Sequence, residues 1–115
     1  MRDLSVSHDK LGDVAVAEGD LVAARAAYTA SLVIRQRLAA ADPTNSGWQR
    51  DLSISHDRVG DAAVAEGDLA AARAAYTASL AIAERLAAAD PTNSEWQRDL
   101  STSRERLADL AGRLR

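Results

Sequence analysis

Apolar positions recur at helical spacing along the whole chain. Trp48, Leu52, Ser55, Val59 and Ala63 follow a four-three-four-four rhythm that gathers apolar and small side chains on one helix face. Further on, Leu69, Ala72, Tyr76, Leu80, Ala83, Leu86 and Ala87 form one stripe, while Ala75, Ala78 and Ile82 form a second. A helix with two apolar faces requires two neighbours. The stripes are separated by breaks of two kinds. At Glu18-Gly19-Asp20 and Glu66-Gly67-Asp68, glycine can take the left-handed conformation that ends a helix and aspartate can cap the next one. At Asp42-Pro43-Thr44-Asn45-Ser46 and Asp90-Pro91-Thr92-Asn93-Ser94, proline stops the helix and biases the aspartate before it away from helical angles. Ser46 with Gln49, and Ser94 with Gln97, have the spacing of a capping box. The pattern therefore predicts five helices, over about 2–18, 21–41, 47–66, 69–89 and 95–113.

The same pattern is written twice. Residues 2–49 return as 50–97 with nine substitutions, among them Lys10 to Arg58 and Val14 to Ala62, and Arg-Asp-Leu-Ser opens a third copy at Arg98. A period of this length signals stacked helical units that bury their apolar faces only against neighbours. The expected organisation is one repeat domain over 1–115, with repeat 1 at 2–49, repeat 2 at 50–97 and a C-terminal capping helix at 98–115. In that last helix Thr102, Arg104, Leu107 and Ala108 replace Ile54, His56, Val59 and Gly60, with Ser103 kept from Ser55, which makes its outer face more polar. Arg113 and Arg115 suit the negative end of the helix dipole. Repeat 1 opens without a comparable cap and carries Val14, Val22 and Val33 where repeat 2 has Ala62, Ala70 and Ala81. This added apolar bulk predicts a homodimer joined through the N-terminal hairpin.

Composition narrows the function classes. Apolar residues make up 47% of the chain but aromatics only 3%, so the core is expected to be thin and rich in alanine. The absence of cysteine excludes a disulfide framework and thiolate metal sites, and no cofactor is called for. No segment has the length or apolarity of a membrane span or signal sequence, which makes the cytoplasm the expected location. A net charge of -3 favours neither nucleic acid nor an anionic membrane as partner. The glycines are isolated and form no phosphate loop, and any serine, histidine and acid combination is duplicated by the repeat. The chain thus reads as a non-enzyme.

Leu11-Gly12, Gly19-Asp20, Ala24 and Tyr28, and again Val59-Gly60, Gly67-Asp68, Ala72 and Tyr76, fall at the spacing of the tetratricopeptide repeat. Over both hairpins the chain resembles that family, as a long variant. The resemblance implies a right-handed α-solenoid of antiparallel helix pairs, with Gly12 and Gly60 at close interhelical contacts. It also implies a family-type inner surface on the first helix of each pair. The chain departs from the family pattern at His8 and His56, where tryptophan is usual, at Ala15 and Ala63, where tyrosine is common, and at Gln36 and Glu84, where a proline ends the second helix. Repeats of this length resemble arrays in large bacterial signalling or defence proteins, so the chain is also readable as a fragment of a longer array.

Candidate chemistry is confined to one helix face. Asp9 and Asp13, Asp57 and Asp61, and Glu105 and Asp109 form pairs four residues apart, a ladder of carboxylates expected to stand in solvent. Lys10, Arg58 and Arg106 lie three residues before the second acid of each pair and are expected to neutralise it. Val6, Ile54, Val16 and Val64 sit beside the ladder and would supply apolar contact. The expectation is a protein-interaction scaffold whose acidic face steers a basic peptide or helix. The alternative is a structural spacer or self-assembly element. His8 and His56 read as interhelical residues rather than metal ligands, because no partner ligand lies at metal-binding spacing. Trp48 and Trp96 read as packing residues near Leu38 and Leu86, and Tyr28 and Tyr76 as buried aromatics.

Overall fold

The computed structural model describes residues 2–114, with side chains from Leu4 onward. It is all-α, with helices α1 (Arg2–Ala17), α2 (Leu21–Ala41), α3 (Ser46–Glu66), α4 (Leu69–Ala89) and α5 (Ser94–Arg113). Among the described residues, extensive packing joins only helices consecutive in the chain, α1 to α2, α2 to α3, α3 to α4 and α4 to α5. Each interior helix thus has a neighbour on two sides, as its two apolar faces require. The result is a slab of 38 × 38 × 20 Å.

The turns form as their residues dictate. Gly19 and Gly67 have φ of 77° and 81°, a left-handed conformation that glycine adopts without strain. The amides of Asp20 and Asp68 then bond back to the carbonyls of Ala15 and Ala63, at 2.8 Å in both cases. Asp20 and Asp68 also cap the following helices by accepting from Ala23 N at 3.0 Å and Ala71 N at 3.1 Å. At the sharper breaks Asp42 and Asp90 leave the helix and accept from the Thr44 and Thr92 hydroxyls at 2.8 and 2.7 Å.

One cap differs from expectation. Asn45 and Asn93, not Ser46 and Ser94, are the capping residues, each accepting from a tryptophan amide at 3.0 Å. Ser46 and Ser94 are therefore the first helical residues, and the capping boxes do not form. Gln49 and Gln97 reach back instead to the carbonyls of Ala39 and Ala87, at 3.4 and 3.1 Å, and tie each loop to the helix before it.

The core is thin. Ala24, Ala63 and Ala72 are fully buried, and they let helices approach until the rings of Tyr28 and Tyr76 lie against Gly12 and Gly60. Around them, Ala63, Ala72, Tyr76 and Leu110 form one cluster, Ala24, Tyr28 and Ala62 a second, and Ala83, Ala87 and Leu100 a third. The largest fully buried side chains are serines, Ser5, Ser31, Ser55, Ser79 and Ser103. Polar groups therefore line the contacts between repeats.

Candidate functional site

The carboxylate ladder is divided by burial rather than uniformly solvated. Asp9 is buried, 7% exposed, and its Oδ2 lies 2.9 Å from Nη2 of Arg35, itself 7% exposed on α2. The same guanidinium donates through Nη1 to Ser55 Oγ at 2.9 Å and to the Asp51 carbonyl at 3.3 Å, and through Nε to Ser5 Oγ at 3.3 Å. Three helices thus converge on one cation. A buried charge survives only with such partners, because desolvation otherwise outweighs what the fold gains. Asp57, one period after Asp9, is also largely buried, with 18% of its side chain exposed, so the expectation of solvated acids fails at both positions.

In the first two pairs the second acid is held by two groups. Asp13 accepts from the Tyr28 hydroxyl at 2.6 Å and from Arg58 Nη1 at 2.9 Å. Asp61 accepts from the Tyr76 hydroxyl and from Arg106 Nε and Nη2, at 3.1 and 3.2 Å. Each arginine reaches the repeat before its own, not the acid three residues ahead as expected. Its long side chain crosses to an oxygen already aligned by the tyrosine, and Arg58 lies 5.7 Å from the Tyr28 ring centre as it does so. Burial, followed by the bond to Asp13, pushes the Tyr28 phenol up to about 12. Tyr76 moves the same way, through burial first and Asp61 second. Both tyrosines donate at every physiological pH.

Glu105 and Asp109 on α5 remain exposed. Among the aliphatic residues, Val6 and Val16 are 38% and 47% exposed, while Ile54 and Val64 are half-buried. Val64 packs against the cluster of Ala63, Ala72, Tyr76 and Leu110. Three neighbouring cavities share Asp61. The first, about 300 Å³ between α3, α4 and α5, is lined by Ile54, Asp57, Ala83, Asp99 and Arg106 among others. The second, about 310 Å³, includes Val64, Tyr76, Asp109 and Arg113, and the third, about 260 Å³, includes Val16, Tyr28 and Arg58. The structure therefore brings Ile54, Asp57, Asp61, Val64, Asp109 and Val16 to one run of cavities. Asp9 is withdrawn beneath Arg35, and Asp13 is engaged by Tyr28 and Arg58.

Arg35 is the buried cation that pattern reading passed over. Its signal lies in the comparison of repeats, where it alone replaces an apolar-stripe residue, Ala83, with a charge. His56 is half-buried and burial pulls its imidazole below the ordinary 6.5. Among the described residues, no group of three or more His, Cys, Asp or Glu side chains is placed to hold a metal ion, and no helix is long and apolar enough to cross a membrane. Comparison of the chain with protein-family models, with curated proteins and with solved structures gave no match.

Proposed function

We propose that the chain is a helical-repeat protein-interaction module, a long relative of the tetratricopeptide repeat, that docks a lysine- or arginine-rich polypeptide along the face of α3 and α5. The observation that carries this reading is the run of three cavities meeting at Asp61, whose walls combine the carboxylates of Asp57, Asp61 and Asp109 with the aliphatic Ile54, Val64 and Val16. Charge steers the partner and aliphatic contact holds it. Asp61 is exposed as well but engaged by Tyr76 and Arg106, so Glu105 and Asp109 are the exposed acids of α5 that act at a distance.

Fluorescence titration with a lysine- and arginine-rich peptide, repeated with Glu105→Gln and Asp109→Asn combined, tests the reading. Exposed charge pairs contribute about 0.2 to 1 kcal/mol each, so the double variant should bind about two- to thirtyfold more weakly. Stability should hold within about 0.5 kcal/mol, because both side chains stand in solvent. Raising salt should narrow the gap, since screening acts within about 8 to 10 Å at moderate ionic strength. Equal affinity of parent and variant at low salt would overturn the proposal.

A second reading has its own observation. Among the described residues, seven of the eight exposed large apolar side chains lie on α1 and α2, including Leu11 at 61%, Val14 at 54% and Val22 at 73% exposed. This concentration of exposed apolar side chains supports self-association through the N-terminal hairpin.

A further inference from the structure

The two intervals between repeats carry the same serines and aspartates around a position that differs in charge. Ser5, Asp9, Asp51 and Ser55 surround Arg35 in the first interval, and Ser53, Asp57, Asp99 and Ser103 stand one period on in the second. In place of Arg35 the second has Ala83, 3% exposed. Removing an arginine side chain while keeping its surroundings leaves space. The cavity of about 300 Å³ lies there, lined by Ser53, Asp57, Ala83, Asp99 and the exposed Thr102, with the Arg58 and Arg106 side chains also on its wall. That volume is at the small end for a ligand site and suits a side chain rather than a whole organic cofactor.

The groups that bind a guanidinium in the first interval are otherwise engaged in the second. Ser53 Oγ turns to the Arg50 carbonyl at 2.8 Å, and the Ser79 and Ser103 hydroxyls bond each other at 3.3 Å. Asp57 Oδ2 has Arg106 Nη1 at 3.6 Å, against 2.9 Å between Asp9 and Arg35, and Arg106 makes its two shorter bonds to Asp61. Asp57 Oδ1, like Asp9 Oδ1, is buried without a hydrogen-bond partner. Burial pushes the Asp57 carboxyl above the usual aspartate range, so the charge is held at a cost that a closer cation would offset.

We propose that the α3–α4–α5 interval is a receptor for a guanidinium group, the arginine side chain of a partner polypeptide, which enters past Thr102 and is held as Arg35 is held in the first interval. The proposal rests on the reading of a basic partner and sharpens it to one residue type. In the first interval a carboxylate, two hydroxyls and a carbonyl surround the guanidinium and match donors spread over Nε, Nη1 and Nη2 of a planar fork, and the second interval carries the same residue types one period on. An ammonium carries its three donors on one atom and cannot span them.

The test is an amide chemical-shift titration of the full chain with N-acetyl-arginine amide, with N-acetyl-lysine amide, and with a peptide carrying a single arginine. Saturable shifts are expected at Ala83, Asp99 and Ser103 with arginine, at least about tenfold weaker with lysine, and absent at Asp51 and Ser55, where Arg35 already occupies the site. The peptide should bind more tightly than the free amide; equal affinity would point to a small guanidinium compound and overturn the polypeptide source. Ala83→Arg supplies the guanidinium from within, so it should raise Tm and abolish the arginine shifts. Arginine shifts that persist in Ala83→Arg, equal lysine binding, or shifts confined to the α5 surface would overturn the receptor. Equal binding of polyarginine and polylysine peptides by parent and Ala83→Arg alike would remove the receptor and leave the acidic-face reading intact. Saturable arginine shifts with no binding of either polycation would overturn the acidic-face reading and, with it, the polypeptide source of the guanidinium.

Discussion

Buried polar residues are where single substitutions speak most clearly. The Asp57 carboxyl titrates above the ordinary 3.8 because it is buried, so between 3.8 and its raised value the folded chain holds more protons than the unfolded one. Stability then falls as pH rises through that window, and the penalty is complete at neutral pH. Asp57→Asn should therefore melt higher than the parent at pH 7, with the gap closing as pH drops to 3.8; parallel melting curves would contradict it. His56 has the opposite sense. Its folded value lies below 6.5, so stability is complete above 6.5 and declines on acidification, and His56→Gln should flatten that decline in thermal scans. Glycine offers a paired comparison. A Cβ at Gly60 would lie 2.5 Å from the Tyr76 ring, whereas one at Gly112 would meet nothing within 4 Å. Gly60→Ala should cost about 1 to 3 kcal/mol in urea unfolding through overpacking. Gly112→Ala should be neutral or stabilise by up to about 1 kcal/mol, since the helix gains a better former.

At the scale of the element, each helix end shows how local rules compete. Gly19-Asp20 and Gly67-Asp68 were legible because glycine's left-handed φ and aspartate's short acceptor serve one turn without a rival. At the longer breaks Asn45 and Ser46 are both good capping residues, and sequence spacing favoured the serine. The chain chose Asn45, whose side chain accepts from Trp48 N, and this frees Gln49 to hold the carbonyls of Ala39 and Pro43. The choice depends on a loop-to-helix contact that no capping rule contains. Asn45→Ala should cost about 1 kcal/mol in urea unfolding followed by circular dichroism, and Ser46→Ala only a few tenths. Equal effects would restore the capping box.

Across the whole molecule, the stack is held by alanine contacts and by arginines that cross between repeats. Arg25 reaches Asp68 at 3.1 Å, Arg50 reaches Asp99 at 2.7 Å, and Arg58 reaches Asp13 at 2.9 Å. Between repeats, polar pairs thus complement a core only a few alanines thick. The exposed aliphatics are concentrated on α1 and α2, and at high micromolar concentration light scattering should report the mass of a dimer. Val22→Asp, at the most exposed of these positions, should return the monomer mass without loss of helix content. A monomer mass for the parent would end the self-association reading.

Helix positions could be read from the chain alone, because they follow from a local period and turn residues. The family resemblance put Gly60 at a close helix contact; that Tyr76 is what it meets was decided by the fold. Which charges meet could not be read. The partners Arg35 and Asp9, or Arg58 and Asp13, lie far apart in sequence, and their distances follow from how helices lie against one another. Near-identity of the repeats also concealed the difference between their intervals, since equal residues imply equal environments only if their neighbours are equal. Burial of Asp9 and Asp57, and the cavity beside Ala83, arise where three helices converge, and that convergence exists only in the folded stack.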